Sequence, residues 1–278
     1  NGGSRSQLRG YTEVAGQSAN VIVANPYGIT CSGCGFINTA NVTLTTGTPV
    51  IDQNGQLQRY QVDGGAVTID GEGLNASNVE RFDIITRSAK INAQINAREL
   101  NVIAGRNDVD AQTLKATARA DDGSAKPELA IDSSALGGMY AGAIKLVGTE
   151  AGVGVKLDGT LAASGGDIQL DANGRLSMAQ AAASGNVKVT AQNVDLTDKV
   201  YATGNVQVTS AQALVNQKSV AAGQRIELNA ATLTNPGIIE AGVAPDNSRN
   251  AIGDLVVNAQ TVTTSGNLLA SRALAITA

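Results

Sequence analysis

The chain has 278 residues, 42% hydrophobic yet only 3% aromatic, with 32 glycines and neither histidine nor tryptophan. The missing histidine removes Ser-His-Asp and Cys-His nucleophiles and His-containing zinc sites. A net charge of −4 with both signs interspersed offers no basic run for phosphates, so nucleic acid is not an expected partner, and no apolar run approaches the length that spans a bilayer.

Aliphatic residues in short runs, punctuated by Gly, Asn and Asp, suit many short strands joined by tight turns. Residues 1–10 lack the apolar stretch of a signal peptide, so an exported protein would have lost its signal already. Residues 19–46 read as strand, turn, strand: Val21, Ile22 and Val23 form an apolar run, Asn25-Pro26-Tyr27-Gly28 carries turn chemistry, and alternation resumes at Asn41. Cys31-Ser-Gly-Cys34 has the spacing of a redox motif, but that chemistry needs a helix N-terminus to lower the thiol pKa, and no helical pattern follows.

Carboxylates are the one catalytic reserve left. Asp108 with Asp110, and Asp121 with Asp122, could in principle act as the paired acids of a glycoside hydrolase. The stronger reading makes Asp121-Asp-Gly-Ser124 a solvated turn and puts Asp108 and Asp110 at another corner after Gly105, so no enzyme activity, cofactor or metal is expected. Gly152-Val-Gly-Val-Lys156 lacks the third glycine of a dinucleotide fingerprint, no G-x-x-x-x-G-K-[ST] segment occurs, and no G-G-x-G-x-D tandem supports calcium.

From Gly166 onward the sequence repeats. Gly166, Gly185, Gly204 and Gly223 each lead an alternating segment and lie 19 residues apart, and a further copy at Gly253 is delayed by the loop-like residues 244–250. A constant short period with internal alternation marks one unit stacked many times, which a β-sandwich would not require. Within a unit, Ile168 and Leu170 are followed by Leu176 and Met178, then by small residues 181–183. The next unit runs Val187 and Val189, Val194 and Leu196, then Val200 and Tyr201. The expected fold is all-β: a parallel β-helix with three short strands per coil, a triangular section, a few extra-helical loops or hairpins, and Gln169, Lys188, Gln207 and Glu227 facing solvent.

At residues 25–29 the sequence resembles the two-partner secretion (TpsA) domain of filamentous haemagglutinin-like exoproteins, whose Asn-Pro-x-Gly-Ile hallmark is matched by Asn25, Pro26, Gly28 and Ile29. Tyr27 stands where the wider family often has asparagine. Further segments are similar to the contact-dependent growth inhibition (CdiA-type) branch: residues 10–17, residues 31–38, Gly137-Gly-Met-Tyr-Ala-Gly142 and Val147-Gly-Thr-Glu-Ala-Gly-Val-Gly154.

The resemblance implies a right-handed helix and a secretion domain over residues 1–165 whose start lies upstream, with haemagglutinin-type repeats over 166–278. It implies a monomer exported through the periplasm to the bacterial surface by a TpsB-type outer-membrane β-barrel transporter. The periplasmic domains of that transporter would recognise Asn25, Pro26, Gly28 and Ile29 in the unfolded chain. A toxin or effector would lie far downstream, as would any contact with a target-cell receptor; the alternative is a filamentous adhesin that binds host or neighbouring cells directly. In an exported chain Cys31 and Cys34 are expected as a short-range disulfide, free thiols being the other state.

Overall fold

The computed structural model describes residues 3–278. Alternation of apolar and polar residues, with glycine, Asn and Asp at the bends, produces strands throughout, and no helix forms among the described residues. All but four strands join one parallel sheet that winds as a β-helix with three faces per coil. In the coil that begins near Gly185 the faces are Val187–Ala191, Asn193–Leu196 and Lys199–Ala202. Each pairs with its counterpart one coil later, at Val206–Ser210, Ala213–Asn216 and Ser219–Ala222.

Because strand side chains alternate, this register stacks like on like. Val189, Val208, Leu228 and Val257 form one interior column, all nearly fully buried. Gln169, Lys188, Gln207 and Glu227 form the adjoining outward column. The third face departs from the sequence reading in one respect: Val200 points inward, but its partner in the core is Ala202, and Tyr201 turns outward to donate its hydroxyl to Val243 O (3.1 Å). The expected insertion at residues 244–250 lies within the connection 242–253, which folds back against this face.

The corner before the first face explains the glycines at Gly185 and Gly204. A Cβ on Gly204 would sit 2.6 Å from Asn186 Oδ1, and one on Gly185 would strike Asp167 Oδ1. Those oxygens are occupied by a ladder that climbs the corner. Asn186 donates its backbone N–H and Nδ2 to Asp167 Oδ1 (2.7 and 3.1 Å), Asn205 repeats this on Asn186 Oδ1 (2.9 and 3.0 Å), and Arg225 N–H ends it on Asn205 Oδ1 (3.1 Å).

The remaining four strands leave the helix. Thr48–Ile51, Leu57–Gln61, Asn107–Asp110 and Ala116–Ala118 form an antiparallel sheet packed on the outside of the first face. Between the two lies a second apolar cluster, in which Tyr60, Val62, Val109 and Leu114 cover Ile85 and Ile103, residues that alternation directs away from the helix interior. The sequence reading placed Asp108 and Asp110 at a corner; they belong to a strand of this sheet, because Val109 between them supplies an inward apolar anchor.

Candidate functional site

The turn at residues 25–28 ends the strand Ala19–Ala24 and starts Ile29–Ile37. Asn25 is 2% exposed, and each of its polar groups has a partner. Its backbone N–H donates to Thr45 O (2.9 Å) and its carbonyl accepts from Gly28 N–H (3.0 Å). Its Nδ2 donates to Ser4 O (2.9 Å) and Ser6 Oγ (2.8 Å), while Oδ1 accepts from Tyr27 N–H (3.0 Å). The side chain thus closes an Asx-type turn and also ties down the first strand, Ser6–Glu13.

Gly28 has φ +109°, and a Cβ there would lie 2.9 Å from Ala66 O. Both the backbone conformation and the space demand glycine. Ile29 is fully buried and pairs with Ser6 on one side and Val67 on the other. Only Pro26 and Tyr27 remain on the surface, Tyr27 being 59% exposed. Of the four hallmark positions, three are therefore enclosed once the chain has folded.

Cys31 and Cys34 are joined in a disulfide with Cα atoms 5.5 Å apart, and both are buried. The bridge spans an irregularity in all three neighbouring strands. Leu8 and Gly10 pair with Cys31 and Cys34, so one residue opposes two, and on the other side Ser32 and Cys34 pair with Asp70 and Leu74. Gly33, Gly71 and Gly73 all have positive φ there. The disulfide thus staples a bend where the chain passes from one face to the next.

The carboxylates are held rather than poised. Asp108 lies 3.5 Å from Arg59 and 3.2 Å from Arg119. Asp110 Oδ1 accepts from Thr113 N–H (2.7 Å) and Thr113 Oγ1 (2.8 Å), and these bonds hold its carboxyl below the usual range. Asp121 caps Gly123 N–H (3.0 Å) and Asp122 caps Ser124 N–H (3.0 Å), and both are likewise lowered, chiefly by hydrogen bonds to those turns. A general acid needs the opposite shift. Among the described residues no cluster of His, Cys, Asp and Glu fits a metal ion.

Two polar features were not visible in the sequence. Arg59, Asp108, Arg119, Asp63, Arg106 and Asp122 form a continuous chain of ion pairs across the extra-helical sheet. Beside it the enclosed Arg87 pairs with Glu150 (2.8 Å) and donates to Ser124 Oγ (2.7 Å), while Thr149 donates to Asn107 Oδ1 (2.5 Å). Thr149 and Glu150, within residues 147–154, thereby hold the sheet and the loop at Ser124 against the helix. The other feature is Asp83, beneath the sheet, whose carboxyl burial pushes up despite Arg81 (3.0 Å) and Asn101 Nδ2 (2.9 Å). Asn101 lies 18 residues from Asp83 and Glu150 lies 63 from Arg87, so no local pattern marks either site.

A parallel β-helix whose first coils enclose an Asn-Pro-x-Gly-Ile turn has the form of a two-partner secretion domain. The family described as "TPS secretion domain" matches residues 1–178, and the chain belongs to that family. It is 57% identical over 175 residues to the 16S rRNA endonuclease CdiA of Enterobacter cloacae subsp. cloacae, covering 63% of this chain and 5% of that protein. It is 55% identical over 178 residues to the tRNA nuclease CdiA of Yersinia mollaretii, covering 64% and 6%. The chain thus spans about a twentieth of the length of these relatives. Among solved structures it is similar to the filamentous hemagglutinin secretion domain, with a TM-score of 0.53, 26% identity, and coverage of 99% of this chain and 72% of that one. It is a secretion domain of the CdiA-type exoproteins, which are exported through the periplasm to the cell surface, and not a catalytic region.

Proposed function

We propose that this chain takes a much longer toxin-bearing exoprotein to a TpsB-type outer-membrane transporter and then, as a monomer, forms the first coils of the shaft that presents the toxin. Residues 1–165 serve the export step, and residues 166–278 begin the repeats. The observation that carries this reading is the enclosure of the hallmark turn. Asn25, Gly28 and Ile29 are inaccessible after folding, so a transporter that reads them meets them in an extended, unfolded chain. Residues 25–29 then have two successive roles, as an address in the periplasm and as a corner of the second coil outside. The Cys31–Cys34 bridge is the exported state, and its small loop adds little bulk to a chain in transit.

Pro26→Ala separates the two roles, because Pro26 is exposed and its ring packs little. Export of the full-length exoprotein is expected to fall about tenfold or more, while the refolded chain loses under about 1 kcal/mol. Undiminished export of this variant would remove the recognition role. Asn25→Ala is expected to lower both, costing about 1–3 kcal/mol through the stranded Ser4 and Ser6 partners. Mass measurement after alkylation without reductant checks the disulfide: two added alkyl groups would mean free thiols.

A further inference from the structure

The extra-helical sheet ends in an unpaired edge, the strand Ala116–Ala118. Arg119 N–H donates to Arg106 O (3.0 Å) and Asp110 N–H to Lys115 O (3.0 Å). In an antiparallel ladder hydrogen-bonded and non-bonded pairs alternate, so Asp108 and Thr117 form the bonded pair between them. The N–H and C=O groups of Ala116 and Ala118 therefore point away from the sheet.

They point into a groove of about 480 Å³. Ala116 and Ala118 form one wall, Asp171, Thr190 and Thr209 the floor, and corner residues such as Asn173 and Gln192 the far side. The floor continues the outward column that runs through Ile85, Ile103 and Val147. The sheet covers Ile85 and Ile103, and beyond Val147 the column turns polar. Neighbouring strands and stacked coils share a spacing of about 4.8 Å. A fifth strand beside Ala116–Ala118 would consequently lie over the Asp171 and Thr190 coils. Asp171 accepts from Gln169 Nε2 (2.7 Å) and has no cationic partner among the described residues.

We propose that this groove binds an extended segment of a partner polypeptide, which adds to the edge as a fifth antiparallel strand. The free backbone groups require an extended backbone, the threonine floor favours small or hydroxylated side chains, and Asp171 selects one lysine or arginine. The site lies on the folded surface and is independent of recognition at residues 25–29.

The probe is a fluorescein-labelled peptide, Gly-Thr-Ser-Lys-Ser-Thr-Gly, added to the folded 278-residue chain. Saturable anisotropy is expected, with hydrogen exchange at Ala116 and Ala118 slowed about tenfold. Methylating alternate peptide amides should abolish binding without touching the protein. Ala118→Pro, which removes a groove-facing N–H, should abolish it too, and Asp171→Asn should weaken it about tenfold. No binding at millimolar peptide, or equal binding of the methylated peptide, overturns the proposal. Concentration-dependent dimerisation that Ala118→Pro removes would assign the edge to a second copy and overturn it as well.

Discussion

Between Gly166 and Gly253 each coil repeats the one before, and only residues 242–253 leave the wall of the helix. Between Thr46 and Leu129 the chain leaves twice and returns each time, adding a sheet with its own apolar cluster and ion pairs. The bare region draws its stability from nearest neighbours alone, as stacked repeats do. The decorated region has a second source, the cluster around Ile85 and Ile103, which clamps two adjacent coils from outside. Uniformity therefore makes the later coils interdependent, whereas decoration makes the earlier ones a locally reinforced block.

The largest effect should follow from Val187→Asp, which puts an unpaired charge in a fully buried position at a cost of about 4 kcal/mol or more. Hydrogen exchange should show coils after Gly166 opening while the amides of Leu57–Gln61 and Asn107–Asp110 stay protected. Simultaneous loss of both regions would show that the block has no stability of its own. Next, Ile103→Ala should cost about 2–4 kcal/mol and loosen the antiparallel sheet first, leaving the repeats protected.

The smallest effect is expected at Asp83. Burial raises its folded pKa above the unfolded one, so the folded chain holds this proton more tightly and acidification through the folded pKa adds stability. The lowered carboxyls of Asp110, Asp121 and Asp122 act in the opposite sense, their contribution being lost as pH falls through their folded values. Asp83→Asn should change stability by under about 1 kcal/mol at pH 7. Urea titrations at falling pH should show the native chain gaining on the variant; a constant difference would contradict the assigned shift.

The bare region was the legible one. Its interval of 19 residues and its inward valines follow from contacts between equivalent positions, which sequence periodicity records directly. The decorated region hides its logic. Thr48–Ile51 and Leu57–Gln61 show no clean alternation of apolar and polar residues, and nothing local tells that Tyr60 packs on Ile85 and Ile103. The hallmark turn was visible as a motif, but the enclosure of Asn25 depends on Ser4 and Ser6, about twenty residues earlier. Asp108 looked like a corner residue because the strand that holds it is short and follows Gly105.

The ladder from Asp167 to Arg225 has a polarity of its own. Every acceptor belongs to the earlier coil and every donor to the later one. A completed coil therefore presents its oxygens before the next coil exists, like a zipper whose open teeth all face the incoming end. That polarity matches the order in which a chain delivered N-terminus first would arrive.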